Sequence, residues 1–219
     1  MPFSASKAVS SNQSEVHPDL LEVVSTHRES QWQKPTPAHT KAAARDAITW
    51  IQARNTPIIL DSFCGTGMST AILAAQFPDH SVCGIDQSAH RLSKHQSAGL
   101  ENYRLFRAEC ETFWRELNDA RITIDKHYLL YPNPWPKKNQ LKRRVHGHPS
   151  FALLGELGGD LEMRTNWKLF AQEFDIAAAA LGFAGGIESL RVDGSLTLFE
   201  RKYCQSGQAL WRYHGRREN

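Results

Sequence analysis

The chain has 219 residues, a formal net charge of +3, and a composition 41% hydrophobic and 22% charged, which fits one α/β domain with a full core plus a modest extension. No run approaches the roughly 18 apolar residues of a membrane span, the N-terminus MPFSASKAVSSNQSEVHPDLL lacks the apolar segment of a signal peptide, and Cys64, Cys83, Cys110 and Cys204 form no C-x-x-C pair that would suggest a zinc site or a disulfide framework. A cytoplasmic protein without membrane or metal partner is expected, and a charge of +3 does not by itself imply a polyanionic partner, so any such case rests on where the cations sit.

Residues 1–37 read as a mobile polar arm. Met1 to about Asp19 is Ser-rich with nothing periodic to bury, and polar and basic residues continue to the stiff Pro35-Thr36-Pro37. A single domain is expected over residues 38–219. From Ala38, the spacing of Ala42, Ala43, Ala47, Ile48 and Ile51 predicts a helix, with no proline until Pro57. The apolar run Ile58-Ile59-Leu60 then predicts a strand ending in Asp61, with Gly65 and Gly67 within the next six residues. Both glycines can take positive φ, let a ligand approach the backbone, and open a helix whose free N–H groups face that ligand. A second strand, Ser81 to Ile85, ends in Asp86, an acid placed for the two hydroxyls of a ribose.

A dinucleotide-binding turn would need glycine at the position of Thr70, and a phosphate-binding P-loop would need Gly-Lys-Ser/Thr, so both fail. The remaining pattern, D-x-x-x-G-x-G with a second acid ending the next strand, resembles the S-adenosylmethionine site of class I methyltransferases. A ligand with a cationic sulfonium and ammonium but no phosphate suits a loop opened by an acid.

Ala89 to Gly99 is polar and helix-compatible. Asn102 to Glu109 reads as a third strand, where Glu109 stands either to face an adenine ring or as an ordinary solvated carboxylate. A short helix, Cys110 to Leu117, precedes a fourth strand, His127 to Tyr131, which runs straight into Pro132-Asn133-Pro134-Trp135-Pro136-Lys137-Lys138. Ligands in open α/β sheets bind beyond the carboxyl ends of strands, so this loop is expected beside the ligand. A helix around Pro149 to Leu157, a fifth strand Leu161 to Thr165, a helix from about Trp167 to Leu181 and strand-like runs at Ser195 to Phe199 and Gln208 to Tyr213 complete the chain. This alternation predicts a doubly wound, mostly parallel sheet flanked by helices.

The stretch Pro132 to Arg144 combines a proline-fixed rim, the flat Trp135 and five cations in eight positions, Lys137, Lys138, Lys142, Arg143 and Arg144. A charge run alone is more often a solvated helix face. Joined to a strand end at a ligand site, it reads as a basic arm for phosphates. Here the sequence resembles the bacterial tRNA (guanine-N7)-methyltransferases, whose signature is close to F-P-D-P-W-x-K-x-x-x-x-K-R-R. Arg164-Thr165-Asn166-Trp167 matches that family's T-D-W-like turn and Thr197-Leu198-Phe199-Glu200-Arg201 its T-x-F-E-x-R, so the likeness covers roughly Pro57 to Tyr213.

The resemblance implies a Rossmann-like class I methyltransferase fold with a seven-stranded sheet, S-adenosylmethionine as cofactor, tRNA as substrate, and a monomer. Carried over by position, Asp61, Gly65, Gly67, Asp86, Glu109 and Asn133 would bind the cofactor. Lys137, Lys142, Arg143, Arg144, Asn166, Thr197, Phe199 and Glu200 would bind substrate. Asn133 and Glu200 would be catalytic, with Glu200 offering its carboxylate to the guanine edge. Guanine N7 already presents a lone pair, so alignment and stabilisation of the purine cation are the main requirements.

Two departures stand out: Asn133 and Asn166 each replace a family carboxylate, leaving open a divergent methyltransferase for another acceptor or a tRNA-binding relative of low activity. An amino-group methyltransferase of the N-P-P-Y/W type is a weaker match, since the order here is N-P-W-P. His146 and His148 lack partners at metal-ligand spacing and read as surface histidines.

Overall fold

The computed structural model describes residues 6–217; residues 1–5 of the expected arm and residues 218–219 lie outside them. The element order is α1 (Leu20–Glu29), α2 (Ala38–Arg54), β1 (Ile58–Ser62), α3 (Met68–Gln76), β2 (Ser81–Asp86), α4 (Ala89–Leu92), β3 (Tyr103–Arg107), α5 (Cys110–Asp119) and β4 (Lys126–Leu130). Three single 3-10 turns between Lys138 and Phe151 lead to α6 (Ala152–Leu157), β5 (Gly159–Thr165), α7 (Lys168–Ala180), β6 (Ala184–Leu190), α8 (Leu198–Gln205) and β7 (Leu210–Arg217).

The uninterrupted apolar runs become the middle of the sheet. Every residue of β1 and β2 is buried, as in a parallel strand covered on both faces. The seven strands lie in the order β3-β2-β1-β4-β5-β7-β6, and only β7 runs antiparallel to its neighbours. Chain order reverses between β1 and β4, which creates a crevice at their carboxyl ends. One sheet face, with Leu60, Ile85, Leu129 and Met163, packs on residues of α1, α2, α5, α6 and α7. The opposite face, with Ile59, Val82, Tyr128 and Leu130, packs on Leu73 and Ala74 of α3.

Beneath the crevice, Trp114 Nε1–H donates to Ser62 Oγ at 2.9 Å, and Ser62 Oγ lies 2.8 Å from His127 Nε2. A hydroxyl has one proton to donate and two lone pairs, so Ser62 accepts from the indole and still bonds His127. Burial pushes the His127 pKa down to about 3, so that ring is neutral.

The C-terminal part differs from expectation. Ser195 to Phe199 is not a strand, because the Thr197 hydroxyl accepts the Glu200 N–H and caps α8, a Thr-x-x-Glu start signal. The strand in this region is β6 instead, whose Ala184-Gly185-Gly186 opening has low strand propensity and holds its place through pairing with β7. Only four residues, Ala89 to Leu92, are helical in the stretch that was helix-compatible up to Gly99.

The expected mobile arm packs against the domain over residues 6–37. Leu20 and Val24 of α1 are buried in the core, where α1 meets α7. Their spacing is helical, in the run Leu20-Leu21-Glu22-Val23-Val24 that directly follows the polar stretch ending at Asp19. Further upstream, the Gln13 side-chain amide and the His17 N–H donate to Glu173 Oε1 at 2.6 and 2.9 Å. Arg144 Nη1 pairs with Glu173 Oε2, and His146 Nε2 lies 3.1 Å from the same oxygen. Arg144 also donates to Gln13 Oε1 at 2.9 Å and to the Trp135 carbonyl at 3.2 Å. Arg144 and Glu173 have no exposure at all and His146 has 1%, so Arg144 is not part of a phosphate-binding arm and His146 is not a surface histidine. Burial would raise the Glu173 pKa, but the hydrogen bond from His146, then the Arg144 charge and the His17 N–H, hold it below the usual carboxylate range.

Removing one member of a buried ion pair strands the other without compensation, at a cost of about 3–5 kcal/mol. Arg144→Ala should lose that much stability in urea unfolding at pH 7. A loss below about 1 kcal/mol would show that Glu173 does not depend on Arg144.

Candidate functional site

A cleft of about 840 Å³ opens at the carboxyl ends of β1 and β4, between the Gly65 loop, the proline-rich loop and α8. This lies within the size range of small-molecule sites. Three non-glycine residues that line it have left-handed backbones, Phe63 at φ 62°, Tyr131 at 56° and Trp135 at 43°. Such conformations cost about 1–3 kcal/mol each and persist where the surroundings over-determine them.

On the β1–β2 side, the five acids and glycines expected to bind cofactor divide by what they touch. Gly65, at φ +63°, faces the cleft, and a Cβ there would stand in open space. Gly67 instead serves packing, since its Cβ would come 2.5 Å from Leu105. Asp61 has no exposure; its Oδ2 accepts the hydroxyls of Ser69 at 2.6 Å and Thr70 at 2.7 Å, while its Oδ1 has no partner. Burial raises its pKa to about 6, against the lowering effect of the two hydroxyls. Asp86 is also buried, its carboxylate accepting the Gly65 N–H at 3.0 Å. Glu109 does not line the cleft and pairs with Lys34 at 2.7 Å. Glu111, one turn into α5, lines it instead. An unpartnered buried carboxylate oxygen, open space over Gly65 and the acid Glu111 suit a ligand carrying positive charge.

On the other side, Asn133 is exposed and lines the cleft, its Oδ1 only weakly engaged at 3.5 Å from the Trp135 N–H. Arg143 lies 3.5 Å over the Trp135 ring, a cation–π contact, and both line the cleft. Lys142 is exposed on the same turn, and Lys137 is exposed but does not line the cleft. Asn166 lines the cleft and donates to Gln208 Oε1 at 2.8 Å. Thr197 and Phe199 form its far wall, where Leu198 and Phe199 are more than half exposed. Phe199 stacks on Tyr203 at 6.2 Å between centroids, and Tyr203 meets Tyr131 at 5.5 Å.

A family model described as "Putative methyltransferase" matches residues 55–212. A tRNA (guanine-N(7)-)-methyltransferase of Pseudomonas paraeruginosa is 30% identical over 177 residues, covering 74% of this chain and 71% of its own length. The chain belongs to the tRNA (guanine-N7)-methyltransferase family. A relative of the same name from Nocardioides is 31% identical over 72% of this chain and 66% of its own. Among solved structures, an antibiotic related methyltransferase superposes with a TM-score of 0.60 at 16% identity, covering 84% of this chain and 97% of that one. A 16S rRNA (adenine(1408)-N(1))-methyltransferase from Catenulisporales acidiphilia superposes with a TM-score of 0.56 at 17% identity, over 78% and 91% of the two chains. These likenesses show the fold, a Rossmann-like class I methyltransferase.

In this methyltransferase, Glu200 is not free to act on a substrate. It is fully buried and outside the cleft lining; its Oε1 accepts Tyr131 Oη–H at 2.8 Å and Arg164 Nη1–H at 2.9 Å, and its Oε2 the Leu196 N–H at 2.6 Å. Arg164 in turn binds Glu162 at 2.6 Å. Glu200 therefore ties α8 to β5 and to the left-handed Tyr131. Sequence reasoning missed Arg91, Glu111 and Tyr203 as cleft residues. Tyr203 had a signal, since it lies four residues after Phe199 on one helix face.

Glu200→Ala removes one of the two carboxylates that hold Arg164 and leaves the Tyr131 hydroxyl and the Leu196 N–H without their acceptor, and should cost about 1–3 kcal/mol in urea unfolding; unchanged stability would return Glu200 to a direct substrate role. Asp61 also sets a pH dependence. Its folded pKa of about 6 exceeds the unfolded value of about 3.9, so its contribution is complete below pH ~3.9 and is lost as pH rises to ~6. The stability of wild type relative to Asp61→Asn should therefore fall by about 1.4 kcal/mol per pH unit across that window and level off above it. A pH-independent difference in unfolding free energy would mean that Asp61 titrates normally.

Proposed function

We propose that this methyltransferase transfers the methyl group of S-adenosylmethionine to N7 of a guanine in tRNA, acting as a monomer in the cytoplasm. The observation that carries this reading is the two-sided cleft. One wall is the Gly65 loop with Glu111; the other is a set of aromatic faces, Tyr131, Trp135, Phe199 and Tyr203, with Arg143, Arg201 and Lys202 among them. Relatives named tRNA (guanine-N(7)-)-methyltransferase support the acceptor. No helix among the described residues is long and apolar enough to cross a membrane.

When bound, S-adenosylmethionine supplies an electrophilic methyl on a sulfonium sulfur. Gly65 offers close approach to the backbone, and Glu111 offers a carboxylate on the cleft wall, with Asp86 buried behind the Gly65 loop. Asn133, exposed on the proline-rich loop, presents an amide with spare hydrogen-bonding capacity to the acceptor base. No residue needs to remove a proton, because guanine N7 attacks with its own lone pair. The task left is to align the base and to accommodate the positive charge that develops on it. With Glu200 held by Arg164 and Tyr131, that charge falls to the π faces of Tyr131, Trp135 and Phe199, which attract cations. Lys142 and Arg143 serve the backbone phosphates, with Lys137 further out. Asn166 is matched to Gln208 as a neutral amide pair, which accounts for the absence of an acid there.

Incubation with labelled S-adenosylmethionine and total tRNA, followed by nucleoside analysis, should place the methyl on 7-methylguanosine. A label on any other nucleoside would overturn the acceptor assignment. Phe199→Ala should lower kcat/KM for tRNA by the equivalent of about 1–3 kcal/mol, the range for losing one base-stacking face, with cofactor affinity unchanged. Lys142→Ala with Arg143→Ala should weaken tRNA binding and flatten its dependence on salt. Wild-type affinity and salt slope in that variant would leave both cations as solvated surface.

A further inference from the structure

Asp86 is placed to receive ribose hydroxyls, yet its carboxylate is closed off. Oδ2 accepts the Gly65 N–H at 3.0 Å and Oδ1 accepts the Ser88 N–H at 2.8 Å, while the Arg91 guanidinium forms an ion pair with Oδ1, its Nη2 at 3.1 Å. Its side chain is 1% exposed, whereas that of Arg91 is 43% exposed and lines the cleft. Two backbone donors and the guanidinium standing against Oδ1 leave too little room around the carboxylate for a diol. Two of the three are backbone amides fixed by the Gly65 loop and the turn after β2. The third is a long, half-exposed side chain on α4, a helix of four residues. Arg91 is thus the one group that can leave without unfolding anything.

The cations that line the cleft give this a direction. Arg91, Arg143, Arg201 and Lys202 all do so, and among the described residues only Arg91 is ion-paired with a carboxylate. A guanidinium forms its strongest contacts with carboxylate and phosphate groups in the same forked geometry, so it can exchange one for the other with little loss. We propose that Arg91 is a displaceable counter-ion that couples cofactor binding to RNA binding. In the absence of cofactor, Arg91 neutralises Asp86. When ribose hydroxyls occupy Asp86, Arg91 swings into the cleft and takes a backbone phosphate of the RNA. Each ligand then favours the other, by the same factor in both directions. This inference rests on the functional reading above, which supplies the two ligands.

The test uses S-adenosylhomocysteine, which carries the same ribose and cannot react, and one defined tRNA transcript. Dissociation constants for the transcript are measured with and without saturating S-adenosylhomocysteine, and the reverse. In wild type, each should tighten the other roughly fivefold or more, at the lower end of ordinary coupling, and less at high salt. In Arg91→Gln the coupling should fall to about one, while S-adenosylhomocysteine binds the free protein at least as tightly as in wild type. Asp86→Asn, by releasing Arg91 without cofactor, should raise the affinity of the free protein for the transcript towards that of the loaded wild type. Coupling that survives in Arg91→Gln, or cofactor binding weakened about tenfold in that variant, would overturn the proposal, the second outcome making Arg91 a cofactor ligand. Wild type that binds both ligands without coupling overturns this inference alone. Wild type that binds neither overturns it together with the functional reading.

Discussion

The buried pair of Arg144 and Glu173 is the constraint on which the rest of the molecule depends. It joins three segments far apart in sequence: the N-terminal stretch through Gln13 and His17, the proline-rich loop through the Trp135 carbonyl, and α7 through Glu173 itself. A buried ion pair adds little net stability, because desolvation offsets its Coulomb energy. What it supplies here is geometry, since the contacts of these two charges bring the three segments together. Trp135 is held in its left-handed conformation by that guanidinium from one side and by the Arg143 contact with its ring from the other.

The parts of the fold set by local apolar patterning were legible in the sequence. Ile58 to Leu60, Ser81 to Ile85 and the helix from Ala38 took the expected forms, because a run buried on both faces leaves the chain few alternatives. Residues whose role depends on a distant partner were not legible. Lys142, Arg143 and Arg144 are three consecutive cations in sequence, yet one is solvated, one lies on Trp135 and one is buried. Only Glu173, 29 positions away, distinguishes the last of them. Likewise Glu109 and Glu111 differ by two positions on the first turn of α5, enough to turn one towards Lys34 and the other towards the cleft. The polar stretch ending at Asp19 hid the run from Leu20 to Val24 that directly follows it.

At the cleft, the neutral amides Asn133 and Asn166 and the structural role of Glu200 belong together. A carboxylate next to an apolar, aromatic wall has to be desolvated, and Glu200 meets that cost only with Arg164, Tyr131 and the Leu196 N–H around it. Asn133 and Asn166 need no counter-ion. In the proposed reaction this leaves a wall of π density, which attracts cations without placing a fixed charge beside the cofactor's own.

The position of β7 bears on how the chain folds. β6 pairs only with β7, and β7 fills the gap between β6 and β5 while contributing Tyr213 to the core. β6 therefore has no partner in the sheet, and β5 keeps an unpaired rim, until β7, which follows both in the chain, is in place. Salt-linked side chains along β5, Asp160, Glu162 and Arg164, place charge on that rim, the kind of feature that discourages partly folded chains from pairing edge to edge.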